Sequence, residues 1–149
     1  MPCSWAKTAS RIQHAGTDSS YSLITAPQNS LCFLNCSFDG SIFPIHAVAV
    51  IGCIFRHCRN ALVTNSVVSA LYPSLVENCR FIQCSECIQA GADTEILHSI
   101  FTACTGALIR SASKLGHVHI ADCTFFDCSV NVHGSACIEL DRDCSVITG

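Results

Sequence analysis

The chain has 149 residues, 50% of them hydrophobic and only 13% charged, with a formal net charge of −3. That is one domain's length with ample material for a continuous core. Eight basic residues scattered along it exclude the clustered cationic face that nucleic acid requires, and no apolar run approaches the ~18 residues that would span a bilayer.

In chain order, the first thirty residues stand apart. Ser4 is placed to cap a helix through Trp5, Ala9 and Ile12, which share one helical face, with Gly16 as its stop signal. This arm, residues 1–30, is expected to carry a short N-terminal capping helix, followed by a polar link and an incomplete strand at Tyr21–Thr25. The opening residues lack the apolar stretch of a secretory signal. The expectation is therefore a cytoplasmic protein, with a cytoskeletal association compatible and secretion less favoured.

From residue 31 to 149 a phrase recurs, Cys-x-Phe-x-x-Cys. It is complete at Cys53–Phe55–Cys58, Cys79–Phe81–Cys84 and Cys123–Phe125–Cys128. It carries Ser for the first Cys at Ser99–Phe101–Cys104, and it is partial at Cys36–Phe38 and Cys144–Val146. The anchors are 17 to 26 residues apart. A period of that length means stacked units, each burying its apolar face on its neighbours.

Aligning the copies exposes further columns. Phe33, Val50, Val76, Ile96, Ile120 and Asp141 lie three before the anchor. Asn35, Gly52, Asn78, His98, Asp122 and Asp143 lie one before, and Ile45, Leu62, Ile88, Leu108 and Val132 nine after. Asn, Asp and Gly tolerate left-handed backbone, so the column before the anchor is a bend. Cys and Phe at spacing two share one face of a short strand. Phe to Cys at spacing three breaks the alternation and marks a second bend. The aliphatic column at plus nine opens another strand. Three short strands joined by bends make one coil, and like residues stack on like. The fold class is thus all-β, a right-handed parallel β-helix of about five to six coils. Longer units bulge outward at Asn65–Ser74 and Ser111–Gly116.

Thirteen cysteines would ordinarily suggest disulfides or zinc. Here Cys36, Cys53, Cys79, Cys123 and Cys144 fill one repeat column, and Cys58, Cys84, Cys104 and Cys128 fill another. They read as reduced, buried thiols, which behave as small hydrophobes. Oxidation between stacked rungs stays open on distance, because in-register strands are ~4.8 Å apart. The structural core ladder is these nine cysteines with Phe38, Phe55, Phe81, Phe101 and Phe125.

Sites of chemistry are few. His117 and His119 share a strand face, with Asp122 or Cys123 nearby in sequence. Two ligands without a third do not make a zinc site, so they read as solvent-facing histidines, with metal binding the weaker alternative. His57 and Cys58 are adjacent and point to opposite faces, which disfavours a nucleophilic dyad. Cys84-Ser-Glu-Cys87 is a lone Cys-x-x-Cys, and Cys87 stands where Ala61 and Ala107 stand in other copies. A small-residue core position accounts for it. No catalytic residue and no cofactor is expected.

At these columns the chain resembles the pectin-lyase-like superfamily of right-handed parallel β-helices, most of all the short repeats of chlamydial polymorphic outer-membrane proteins and related protist solenoids. The Phe-x-x-Cys steps stand where those repeats carry Phe-x-x-Asn, and Asn60-Ala-Leu62 and Gly106-Ala-Leu108 match their Gly-Gly-Ala-aliphatic step. The resemblance implies a β-solenoid over residues 31–149. It also raises two roles that relatives play, polysaccharide binding or cleavage and surface adhesion. Cleavage needs paired carboxylates, and the acidic residues here are dispersed. The leading expectation is a non-catalytic scaffold or protein-interaction module in a larger assembly. Its partners would be other proteins, met at the solenoid ends or flat sheet faces, and not nucleic acid or a membrane.

Overall fold

In the computed structural model, residues 5–8, 11–13, 31–41, 45–64, 73–91, 93–111, 117–130, 136–140 and 145–148 are described. The protein there is all-β, with parallel strands in three sheets. The first sheet holds β1 (Trp5–Thr8), β3 (Leu31–Leu34), β6 (Ala49–Ile51), β9 (Ser74–Glu77), β12 (Thr94–Leu97), β15 (Val118–Ala121) and β18 (Ser145–Thr148). The second holds β2 (Arg11–Gln13), β4 (Ser37–Asp39), β7 (Ile54–Arg56), β10 (Arg80–Ile82), β13 (Ile100–Thr102) and β16 (Thr124–Phe126). The third holds β5 (Ile45–Ala47), β8 (Leu62–Thr64), β11 (Ile88–Ala90), β14 (Ile109–Ser111) and β17 (Ile138–Glu139). From β3 onward the chain visits the sheets in rotation. Each strand therefore pairs with the one that follows three elements later, the winding of a parallel β-helix.

The register is what the repeat dictates. Phe38, Phe55, Phe81, Phe101 and Phe125 pair in line across the second sheet. Their rings stack face to face at 4.8, 4.9, 4.9 and 4.7 Å, with interplanar angles of 12° or less. That spacing is the interstrand distance itself, so backbone pairing sets the ring stack and the rings reinforce the register. Phe33 meets Phe38 edge-on at 5.1 Å and ties the first sheet to the second. Val50, Val76, Ile96 and Ile120 cover the first sheet's inner face, and Ile45, Leu62, Ile88 and Ile109 the third's.

The structure departs from the sequence expectations at both ends. Where a capping helix was expected, Trp5–Thr8 and Arg11–Gln13 are strands. They pair in parallel with Leu31–Leu34 and Ser37–Asp39, and Ile12 sits opposite Phe38. Three apolar residues at helical spacing are a short signal, and an exposed rung offers a full row of ladder partners that a helix would leave unused. Residues 14–30, including the strand expected at Tyr21–Thr25, lie outside the described residues.

At the other end, Ser145–Thr148 pairs with Val118–Ala121, so Ile147 stands in the column of Ile120. Val146 is therefore not in the Phe column, and Cys144 lies outside the described residues. In the third sheet Ile109 pairs with Ile88, and Ile138 with Ile109. Leu108 is displaced by one residue, and the place expected for Val132 is taken by Ile138. Val132 itself lies outside the described residues, as do residues 65–72 and 112–116 of the two bulges.

Candidate functional site: a thiol column and an open end rung

Each rung bends at residues with positive φ. Asn35, Gly52, Asn78, His98 and Asp122 precede the first Cys column, and Gly40, His57, Gln83, Ala103 and Asp127 precede the second. Left-handed residues are tolerated best as Gly, Asn or Asp, which is why those types recur there. Gly52 is required twice over: its φ is 64°, and a Cβ would run into the Asn35 Oδ1 stacked beside it.

At the bends from Ile51 onward the carbonyl two residues before the Cys already accepts a ladder N–H from the preceding rung, and the thiol adds a second bond to it. Cys53 Sγ donates to the Ile51 carbonyl at 3.5 Å, Cys79 to Glu77 at 3.4 Å and Cys123 to Ala121 at 3.4 Å. In the second column each thiol serves its own bend and also reaches a phenylalanine carbonyl one rung back: Cys84 to Phe55 at 3.5 Å, Cys104 to Phe81 at 3.3 Å and Cys128 to Phe101 at 3.5 Å. Ser99 plays the anchor part with a hydroxyl, donating to Leu97 at 2.9 Å and accepting from the Cys79 amide at 3.2 Å. The weak S–H donor suits a place that is apolar yet lined by carbonyls. Sequence reasoning found the columns and missed this second bond; the signal for it is Ser99, where a hydroxyl replaces the thiol.

Ten of the described cysteines are free thiols. Cys32 is the exception to the reduced-thiol expectation, being disulfide-bonded. Burial pushes the Cys53 thiol up to about 11 and the Cys79 thiol up to about 12. In the second column Cys84 and Cys87 both hydrogen-bond to Cys104, which raises their own pKa values and lowers that of Cys104. Cys87, Cys84 and Cys104 are fully buried. Cys123, Cys128 and Cys137 at the far end are only partly so.

Among the described residues, β16 and β17 are the last strands of the second and third sheets. All three residues of β16 are exposed. Phe125 is stacked on Phe101 on one side and is 37% exposed, while Phe126 is 66% exposed and Val130 39%. The Thr124 amide bonds to Ser99 and the Phe126 carbonyl accepts from Ala103. By the alternation of a parallel ladder, the N–H and C=O of Phe125 face the other way, toward the open side. On the outer face of the second sheet Ile100, 37% exposed, adds to the apolar surface. Arg110 Nε bonds Glu139 Oε2 at 3.0 Å and ties the last two strands of the third sheet.

The histidines lie apart from this edge. His57 places Nδ1 3.1 Å from Asp39 Oδ1 and Nε2 2.8 Å from Gln83 Oε1. Cys58 turns the opposite way, to the Arg56 carbonyl at 3.3 Å. The two are not a dyad. His117 is exposed, its amide held by Asp93 Oδ1 at 2.9 Å, and His119 is half-buried beside Glu95 in the ladder. Among the described residues no three His, Cys, Asp or Glu side chains converge as a metal site requires, and no helix is long and apolar enough to cross a membrane. No family model matches the chain, and neither a curated protein nor a solved structure matches it.

Proposed function

We propose that this chain is a non-catalytic β-solenoid scaffold that binds other proteins by strand addition at β16, the last described strand of its second sheet. The single observation that carries the reading is β16: an edge strand exposed along its length, with an aromatic ring stacked on one side only and a backbone N–H and C=O aimed outward. The occupant is a parallel partner strand with an aromatic or large aliphatic side chain opposite Phe125, so that the ring column continues by one step. Exposed Phe126 and Ile100 offer an apolar shoulder on which such a partner can rest. Right-handed winding, as in pectin-lyase-like solenoids, is the expected hand, because parallel crossovers are right-handed in ~98% of cases. Ten free thiols favour a reducing, cytoplasmic setting.

The test uses a fluorescent peptide spanning Pro73–Gly91, which carries one complete copy of the repeat phrase. Titrated with the chain, it should show saturable anisotropy that is lost in Phe125→Pro, which removes the outward N–H, and weakened in Phe126→Asp. Equal binding to both variants, or none at millimolar peptide, would sink the reading.

A further inference from the structure

The second Cys column ends in Cys128, partly buried, and across the corner between the second and third sheets stands Cys137, also partly buried. Backbone pairing fixes what each corresponds to. Cys128 continues the column of Cys84 and Cys104, since the Ser129 amide bonds to the Cys104 carbonyl as the Thr105 amide does to Cys84. Cys137 precedes the third-sheet strand of its rung. Its carbonyl accepts from the Ile109 amide, as the Cys87 carbonyl accepts from Leu62. Cys128 and Cys137 are thus the end-rung counterparts of Cys84 and Cys87. In the interior copy those two thiols stand three residues apart across the corner, and the same backbone pairing sets Cys137 across the corner from Cys128. What differs is access: Cys84 and Cys87 are sealed under further rungs, whereas Cys128 and Cys137 are partly exposed and, among the described residues, no second- or third-sheet strand follows β16 and β17.

We propose that Cys128 and Cys137 form a redox couple, converted to a disulfide by a two-electron thiol oxidant of the peroxide class, which staples the corner of the end rung. Burial holds the Cys128 thiol above its ordinary pKa, so its thiolate forms toward alkaline pH. The thiolate attacks one peroxide oxygen, the O–O bond breaks, and hydroxide leaves and takes up a proton as water. The Cys137 thiol then displaces the hydroxyl of the resulting sulfenic acid, forming the S–S bond and releasing a second water. Two thiols and one peroxide give one disulfide and two waters. The two cysteines are nine residues apart, so the bond closes a short loop across the corner. The inference is independent of the strand-addition reading, since it concerns the chain without a partner.

The experiment treats the native chain with one equivalent of hydrogen peroxide, blocks remaining thiols with N-ethylmaleimide and maps peptides by mass spectrometry. The expected result is a Cys128–Cys137 disulfide as the main product, with Cys58, Cys84 and Cys104 modified only after denaturation. In Cys137→Ser the Cys128 sulfenic acid should persist and be captured by dimedone, with no disulfide at Cys128. A product distributed over other cysteine pairs, or Cys128 and Cys137 both still alkylatable after the peroxide is consumed, would overturn the assignment.

Discussion

At the residue scale, the repeat assigns each position one task, and the costs of changing it differ accordingly. Phe81 is wholly buried between two parallel rings. Phe81→Ala opens a cavity in the middle of the stack and should lower stability by about 3–5 kcal/mol, whereas Phe126→Ala on the exposed face should change it by no more than about 0.5 kcal/mol. Urea denaturation of both variants tests this, and equal losses would mean that the ring column is not what holds the coil together. The bends make a second pair. Gly52→Ala meets both a left-handed φ and the Asn35 side chain, so it should cost about 2 kcal/mol or more. Ala103 carries the same left-handed strain at φ 52°. Ala103→Gly should therefore stabilise by about 0.5–1 kcal/mol, once the greater freedom of Gly in the unfolded chain is subtracted. A fall in melting temperature for Ala103→Gly would refute the strain argument. These positions were legible from sequence because a column repeated five times reports its own constraint. Ala103 was not, since a lone Ala among His, Gln, Gly and Asp gives no hint of its φ.

At the element scale, neighbouring strands are joined by side chains on the outer edge as well as by the ladder. His57 bridges three successive rungs, from Asp39 before it to Gln83 after it. The Asp39 hydrogen bond, followed by that of Gln83, raises the His57 pKa above its ordinary 6.5. Because the folded value lies above the unfolded one, the stabilisation is fully present below about pH 6.5 and fades as pH rises through the folded value. Urea midpoints measured from about pH 5 to about pH 9 should decline more steeply for the wild type than for His57→Gln, and parallel curves would remove the bridge from the account. Strands themselves were legible wherever the Cys and Phe columns flank them. The failures share a physical cause. In Trp5–Gln13 only Ile12 marks the phrase, so a short helical pattern outweighed a one-residue match. At Cys144 a Cys followed by an aliphatic residue mimicked an anchor, yet the ladder pairs Ile147 with Ile120. Local identity cannot fix register when an insertion of unknown length precedes it. The same limit displaced Leu108 in favour of Ile109, and Val132 in favour of Ile138.

At the scale of the whole molecule, stability is a sum over adjacent rungs, because each strand pairs only with the strands before and after it in its sheet. Among the described residues, β10 has neighbours on both sides, β7 and β13, whereas β16 has β13 alone. The first sheet differs, because β15 is backed by β18. The end therefore has unequal sides: one sheet is extended by a strand, while the other two stop beneath it. Opening should begin where a strand has one neighbour and exposed side chains, and it should spread inward only as each successive ring pair separates. Amide hydrogen exchange reads this order directly. Amides of Arg80–Ile82 should exchange only through global unfolding. Those of Thr124–Phe126 should exchange through a smaller opening, with protection at least tenfold weaker, and Val118–Ala121 in the same rung should lie between. A partner strand docked on β16 would then raise protection at Thr124–Phe126 and leave Arg80–Ile82 unchanged, which separates strand addition from a general stabilisation of the fold. Uniform protection across the three sheets of the end rung would show that the rung opens as one unit, and an edge selected by β16 alone would lose its physical basis.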